Sequence, residues 1–163
     1  RPPRSTLLPY TTLFRSANRS LHHTQKNFEL NDIKLDQNAI LVEDVFHYFK
    51  FALKKNLSYD LVILDPPSYA KSKDFIFSSE KDYPALLADA IHITRNNGVI
   101  VASNNSSNIT LEKFKQMIGR GFNLANAKFE ILELHQLPKD FRTHHLYEES
   151  NYLKVAFIKV LKK

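Results

Sequence analysis

Residues 59–69 read Tyr-Asp-Leu-Val-Ile-Leu-Asp-Pro-Pro-Ser-Tyr and carry the clearest structural pattern in the sequence. The apolar run at residues 61–64 is too short for a buried helix and stops at an acid and two prolines, which indicates a strand buried on both faces. Such strands lie inside parallel sheets. Pro66 and Pro67 cannot donate to a sheet ladder, so Asp65 is predicted at the carboxyl end of the strand. Open α/β sheets have their functional sites at this end.

The residues that follow the strand suit a planar base. Asp65 supplies a carboxylate, the two prolines stiffen the backbone, Ser68 adds a hydroxyl and Tyr69 offers a ring for stacking. The alternative is that Asp-Pro-Pro only forms a stiff turn at the start of a loop. These residues alone do not distinguish a base-binding segment from a stiff turn.

The composition predicts a globular protein of the cytoplasm. The chain has 163 residues, of which 43% are apolar, enough for one domain with a core. Cysteine is absent, which excludes disulfides and thiolate metal sites and favours a reducing compartment. No stretch approaches the roughly 20 apolar residues of a membrane span. We therefore expect no metal and no membrane, and no pattern indicates an oligomeric state.

Residues 1–16 differ from the rest of the chain. They read Arg-Pro-Pro-Arg-Ser-Thr-Leu-Leu-Pro-Tyr-Thr-Thr-Leu-Phe-Arg-Ser, without an acid and without a period of 2 or 3.6, so no element is predicted there. This leader is either a disordered basic tail or a translated sequencing adaptor joined to a truncated reading frame, and we favour the second. Without its three arginines the formal charge falls from +6 to +3, so half of the charge that would suit RNA says nothing about partners. Residues 17–163 are then a partial domain.

Helices and strands alternate after residue 17. Helices are predicted at 18–30, 45–56, 83–94 and 110–118, and strands at 39–42, 61–64, 99–102, 129–134 and 152–160. This order predicts an α/β fold, and the two last strands, with no helix between them, predict an antiparallel pair at the sheet edge. Residues 70–81, with Lys71 and Lys73, form either a solvated loop or an RNA contact. Asn96-Asn97-Gly98 is expected to break the third helix, and Thr110 to cap the fourth.

The Asp65-Pro66-Pro67-Ser68-Tyr69 sequence after a hydrophobic strand resembles motif IV of class I S-adenosylmethionine-dependent methyltransferases. The form is that of the bacterial 23S rRNA cytosine-C5 methyltransferase family and its relatives. Other segments match the family in order and spacing across residues 17–163. They are Asn18-Arg19-Ser20-Leu21, Asn27-Phe28-Glu29-Leu30-Asn31, Glu43-Asp44-Val45-Phe46, Asp82-Tyr83 and Asn151-Tyr152-Leu153-Lys154.

The resemblance implies the carboxyl-terminal portion of a Rossmann-like class I methyltransferase sheet, with S-adenosylmethionine as cofactor. It implies that the Asp44 carboxylate accepts from the adenine amino group and that Val45 adds backbone and apolar contact. It also implies that Asp65, Pro66 and Pro67 form the wall between the methyl donor and the target base. Without the resemblance, Asp44 reads as a helix cap before Val45.

The sequence departs from the family at its amino-terminal side. The first strand and helix of the fold and the glycine-rich turn that binds the amino acid end of the cofactor are missing, because the three glycines stand at 98, 119 and 121. The family has a ribose-binding acid just before the position of Ala17, and here Arg15 is nearby instead. We therefore expect a truncated gene. The sheet should have a gap, and its unpaired edges should lower stability and promote aggregation.

The residues after the strand at 99–102 concern the target atom. Methylation at cytosine C5 requires a nucleophile at C6, usually a thiolate. The family has its cysteine here, whereas this chain has Ser103-Asn104-Asn105-Ser106. This form resembles relatives that methylate a ring or exocyclic nitrogen of guanine, which needs positioning and a hydrogen bond rather than a covalent adduct. Asp65 and Asn105 are the candidates for that role.

The resulting hypothesis is that the intact parent protein transfers a methyl group from S-adenosylmethionine to a base of large-subunit rRNA. One alternative is methylation of another RNA or of a small molecule. The other is that this chain is a non-catalytic fragment or an RNA-binding remnant.

Overall fold

The computed structural model describes residues 13–14, 19–34, 40–41, 44–71, 76–144, 146–147 and 150–162. The chain divides into two compact units, Arg1–Phe51 and Ala52–Lys163. Among the described helices, none is long and apolar enough to cross a membrane.

The first unit contains a short parallel strand pair and helical segments. Strand β1 (Leu13–Phe14) pairs with β2 (Ile40–Leu41) on either side of helix α1 (Arg19–Leu30) in the sequence. The prediction that the leader holds no element is therefore wrong at β1, and the rest of the leader lies outside the described residues. Leu13 and Phe14 follow two β-branched threonines, a composition that favours extended backbone without a longer periodic pattern.

The predicted helices of this unit are confirmed. Helix α1 ends at Asn31-Asp32, as predicted, where Asp32 has a φ of 53°. Helix α2 (Val45–Lys54) starts in the first unit and is followed by Asn56 with a φ of 53°. Asparagine and aspartate tolerate this left-handed backbone conformation, which helix ends require.

The second unit is built on a four-stranded sheet with two helices. Its strands are β3 (Tyr59–Leu64), β6 (Thr94–Asn104), β8 (Lys154–Leu161) and β7 (Lys128–His135), in that spatial order. Strand β3 runs parallel to β6, whereas β8 is antiparallel to both β6 and β7. The predicted antiparallel pair at the sheet edge is confirmed. Strand β2 pairs with β1 and does not belong to this sheet, and the predicted gap remains a prediction.

The prediction that β3 is buried on both faces is wrong. Leu64 is buried, but Leu61 is 47% exposed and Ile63 70% exposed. Strand β3 is at the edge of the described sheet, and successive side chains point to opposite faces. The apolar run indicates side chains that favour burial, but not whether this chain buries them.

The region after β3 contains a hairpin instead of the predicted polar loop. Strands β4 (Tyr69–Lys71) and β5 (Ile76–Ser78) pair antiparallel, with Tyr69 opposite Ser78, and Phe77 is buried. Lysines and serines dominate residues 70–81 and obscure this short apolar stretch. Helix α3 (Ser79–Ile93) consequently begins four residues earlier than predicted.

Asn96-Asn97-Gly98 lies inside β6 rather than after a helix. The register between β3 and β6 shifts here, from Tyr59 opposite Thr94 to Leu61 opposite Val99, and Asn97 has a φ of 64°. A Cβ at Gly98 would come within 3.0 Å of the Asp60 carbonyl oxygen. The turn-like composition therefore marks a β-bulge with close backbone approach.

Helix α4 (Leu111–Leu124) begins as predicted and ends later. Thr110 Oγ1 accepts from the Lys113 backbone N–H at 3.2 Å, which confirms the predicted cap. The helix passes through Gly119 and Gly121 because Gly121 packs against Leu87 of α3. Leu86, Leu87, Ala90 and Ile91 form the buried face of α3. The core also contains Phe114, Ile118, Phe122, Ile100, Ala102, Ile158 and Val160.

Substitution of each α4 glycine by alanine tests this packing. Alanine favours a helix over glycine by about 1 kcal/mol at either position. A Cβ at Gly119 meets no atom within 4 Å, whereas one at Gly121 lies 2.9 Å from Leu87 Cδ2. Overpacking costs about 1–3 kcal/mol. In urea unfolding we expect Gly119→Ala to raise the free energy of unfolding and Gly121→Ala to leave it equal or lower. Equal stabilisation by both variants would contradict the packing.

Candidate functional site

The site lies at the carboxyl edge of β3 and β6. Leu64 stands opposite Ala102 in this parallel pair, so the next residues, Asp65 and Ser103, emerge side by side. The Ser103 hydroxyl donates a hydrogen bond to Asp65 Oδ1. The predicted position of Asp65 is confirmed, and its carboxylate is held by a neighbour that the sequence did not single out.

Tyr83 of α3 holds the backbone of Ser103 by a hydrogen bond. Its ring is fully buried, and its hydroxyl donates to the Ser103 carbonyl oxygen at 2.9 Å. Burial, and secondarily the Asp65 charge, raise the pKa of Tyr83 far above its ordinary value. The phenol is therefore a constant donor near neutral pH. Tyr83 orients Ser103, and Ser103 orients Asp65.

A second contact joins the two loops at this edge. The Ser68 hydroxyl donates to Asn105 Oδ1 at 2.9 Å. Pro66 is half-buried and Pro67 exposed, and the Tyr69 side chain is 61% exposed at the start of β4. Asp65, Ser68 and Asn105 were predicted from separate parts of the sequence, and the structure brings them together.

Asn104 and Ser79 support both loops and were missed from the sequence. Both are buried. Asn104 Nδ2 donates to Ser79 Oγ at 2.7 Å and Asn104 Oδ1 accepts from the Ser106 N–H at 3.0 Å, while the Ser79 N–H donates to the Ser68 carbonyl at 3.0 Å. The start of α3 thus connects the Asp65 loop to the Ser103 loop. The signal was an asparagine two residues after the apolar run at 99–102, because a polar group buried there needs a partner.

Lys154 is the other missed residue. It stands opposite Asn104 in the β6–β8 register and is only 2% exposed. Its Nζ donates to the carbonyl oxygens of Ser106 at 2.6 Å and Tyr152 at 2.7 Å. Burial lowers the pKa of Lys154. In the sequence it belonged to the segment Asn151-Tyr152-Leu153-Lys154 that matched the family, and nothing in that segment shows that this lysine is buried.

Asp44 and Val45 belong to the first unit. Asp44 Oδ1 accepts from the Phe46 N–H at 2.9 Å and the His47 N–H at 3.3 Å, just before α2 begins at Val45. The alternative interpretation of Asp44 as a helix cap is confirmed. Its contact with adenine remains a prediction.

The described residues contain no group of three or more His, Asp or Glu side chains that could hold a metal ion. The chemical groups at the edge of β3 and β6 are instead one carboxylate, two hydroxyls, one amide and one exposed phenol ring. They can accept and donate hydrogen bonds and stack on a flat ligand.

Tyr83→Phe tests the hydrogen bond from the Tyr83 hydroxyl to the Ser103 carbonyl oxygen. Without the hydroxyl, the buried Ser103 carbonyl loses its donor, and the free energy of unfolding should fall by about 1–3 kcal/mol. Tyr69→Phe is the matched control, because Tyr69 is largely exposed and should change stability by less than about 0.5 kcal/mol. Equal urea midpoints for the two variants would show that the Tyr83 hydroxyl is not structural.

Lys154→Met tests the buried ammonium. Methionine keeps an apolar stem but leaves the Ser106 and Tyr152 carbonyls without their donor. We therefore expect the free energy of unfolding to fall by about 1–3 kcal/mol and the Ser106 amide to exchange hydrogen faster. Lys159→Met, on the same strand, is the control and should change neither the free energy of unfolding nor the exchange rate of the Ser106 amide by much. Unchanged exchange at Ser106 in Lys154→Met would contradict this role.

Known proteins resemble this chain over most of its length. No family model matches. The chain is 47% identical over 148 residues to YwbD of Bacillus subtilis (strain 168), by name a candidate ribosomal RNA large subunit methyltransferase; the match covers 91% of this chain and 37% of YwbD. It is 27% identical over 135 residues to ribosomal RNA large subunit methyltransferase K of Neisseria meningitidis serogroup B (strain ATCC BAA-335 / MC58), covering 80% of this chain and 35% of that protein.

Among solved structures, SMU.776, a candidate methyltransferase complexed with SAH, aligns with a TM-score of 0.83 and 40% identity over 93% of this chain and 39% of that one. The chain thus spans somewhat more than a third of the length of these proteins. The predicted fold class is confirmed. The chain has the α/β fold of class I S-adenosylmethionine-dependent methyltransferases, and its relatives are named as ribosomal RNA large subunit methyltransferases.

Proposed function

We propose that the chain is part of an enzyme that transfers a methyl group from S-adenosylmethionine to a base of large-subunit ribosomal RNA. The observation that carries this proposal is the hydrogen bond from Ser68 to Asn105 beside Asp65, which assembles a base-binding edge from two separate loops. The names of the relatives support the RNA substrate. We propose that the activity takes place in the cytoplasm, because its ribosomal RNA substrate is there.

The cofactor fits the charge at this edge. S-adenosylmethionine supplies a methyl group activated by a sulfonium. The exposed Asp65 carboxylate suits such a cationic ligand, and it is held in place by Ser103. We assign Asp44 and Val45 to the adenine end from the family resemblance. Gly98 lies in β6, and Gly119 and Gly121 in α4, so we infer that residues outside this sequence bind the amino acid end.

The chain's own residues favour nitrogen over cytosine C5 as the target atom. A thiolate nucleophile is absent from the sequence, and the Ser103 hydroxyl near the end of β6 is buried and donates to Asp65. S-adenosylmethionine would supply the methyl group, and a guanine nitrogen that carries hydrogen would release its proton on methylation. Asp65 can accept that proton and pass it to solvent. The Ser68 hydroxyl bonds to the Asn105 oxygen, so Asn105 can offer amide N–H groups to a base, while Tyr69 stacks on it.

The test is identification of the methylated product. In the extended protein, the upstream part of YwbD replaces residues 1–16. We expect it to methylate large-subunit rRNA lacking the modification, and nucleoside mass spectrometry should show a methylated guanosine. A 5-methylcytidine product would contradict the nitrogen target, and no transfer to rRNA would contradict the function.

Asp65→Asn in the extended protein should lower kcat by about 100-fold or more, because the acceptor for the departing proton is lost. Asp60→Asn is the matched control. Asp60 is on the same strand, exposed, and paired with Arg95 at 2.6 Å, a surface pair with little energetic weight. Equal kcat values for the two variants would remove Asp65 from the mechanism.

A further inference from the structure

A groove of about 530 Å³ lies next to the candidate site within the second unit. One wall is the segment from Ser107 to the start of α4. The other consists of Gln136 and part of residues 143–151, and Lys154 also lines the groove. Ligand pockets commonly measure 300–1,000 Å³, so its volume suits a nucleotide.

The outer wall is held together by its own contacts. His144 and Tyr147 form an isolated β-bridge, the Ser150 hydroxyl donates to the Tyr147 carbonyl at 2.7 Å, and the His144 N–H donates to Ser150 Oγ at 3.2 Å. Phe141 packs edge-on against Tyr152 with ring centroids 6.3 Å apart. The described residues of this wall, His144, Tyr147 and Ser150, are therefore bonded to one another.

The groups that line the groove suit a nucleobase. The Tyr147 side chain is 59% exposed and offers a ring for stacking, while the Gln136 and Asn151 amides carry both donors and acceptors. The groove does not bind RNA through positive charge. The acids Asp140, Glu148 and Glu149 offset the nearby Lys139 and Arg142 in the sequence. Glu112 also lines the groove. Stacking and hydrogen bonding to a base do not require a positive surface.

The groove begins two residues along the chain from Asn105 of the site, at Ser107. Lys154 bonds the carbonyl of Ser106, whose neighbour Asn105 is bonded by Ser68. Asn105 and Ser107 are two residues apart, so their Cα atoms are separated by about 7 Å at most. One splayed nucleotide spans that distance. An RNA strand with its target base at Asp65 can therefore place an adjacent base in the groove.

We propose that this groove binds a nucleotide adjacent to the target base in single-stranded RNA, with Tyr147 stacking on that base and Gln136 and Asn151 contacting its edge. The proposal deepens the proposed function and rests on it, because the target base defines which nucleotide is adjacent.

Binding of a short fluorescein-labelled single-stranded RNA to this chain, followed by anisotropy, tests the groove. Tyr147→Ala should weaken the Kd about tenfold, a usual effect for one lost base–aromatic stack, and Tyr147→Phe should leave it within about twofold. The loss should persist as salt is raised, unlike the loss of a phosphate contact. An unchanged Kd in Tyr147→Ala, or no binding by the unaltered chain, would overturn the proposal.

Leu146→Ala is the matched control, since Leu146 is 80% exposed beside Tyr147 but does not line the groove. An equal loss from Leu146→Ala and Tyr147→Ala would indicate general apolar contact, as with a protein partner, and would also overturn the proposal. The outcome is separable from the methyl transfer assay. Rapid transfer with an unaltered Kd in Tyr147→Ala would refute only the groove. Tyr147-dependent binding without transfer would refute the methyltransferase function and would leave a groove that binds RNA but has no target base beside it.

Discussion

The parallel pairing of β3 with β6 positions the candidate site. It sets Leu64 opposite Ala102 and so brings Asp65 beside Ser103. A slip of one residue would turn every side chain of β3 to the other face and separate the carboxylate from its hydroxyl. The bulge at Gly98 belongs to the same constraint, because the register across it aligns the two carboxyl ends.

Polar groups are buried next to this pairing, and each described one is bonded. Tyr83, Asn104 and Lys154 make hydrogen bonds to the loop at Ser103 and Ser106, and no buried side-chain nitrogen or oxygen among the described residues lacks a partner. An unbonded group here would cost about 1–3 kcal/mol, so each bond restricts the loop to one conformation. The exposed site residues, Asp65, Ser68 and Asn105, are thereby held by buried ones. This arrangement is what a site needs if it is to orient a base before chemistry occurs.

The sequence was informative where one local pattern has one structural solution. Two prolines after an apolar run placed Asp65 at a strand end, Thr110 capped a helix, and the two last strands paired antiparallel. It failed where the solution depends on distant neighbours. The exposure of Ile63 depends on whether anything covers that face, and the burial of Lys154 depends on the loop at Ser106. The hairpin of β4 and β5 escaped prediction because its few apolar residues are flanked by lysines and serines.

The central claim is that the carboxyl edge of β3 and β6 is the cofactor and base site. Calorimetric titration of S-adenosylmethionine into the extended protein and its Asp65→Asn variant tests it most directly, with this chain titrated alongside. We predict binding by the extended protein, a Kd weakened about tenfold or more in the variant, and weaker binding by this chain alone. Equal affinity in the extended protein with and without the Asp65 carboxylate would contradict the claim.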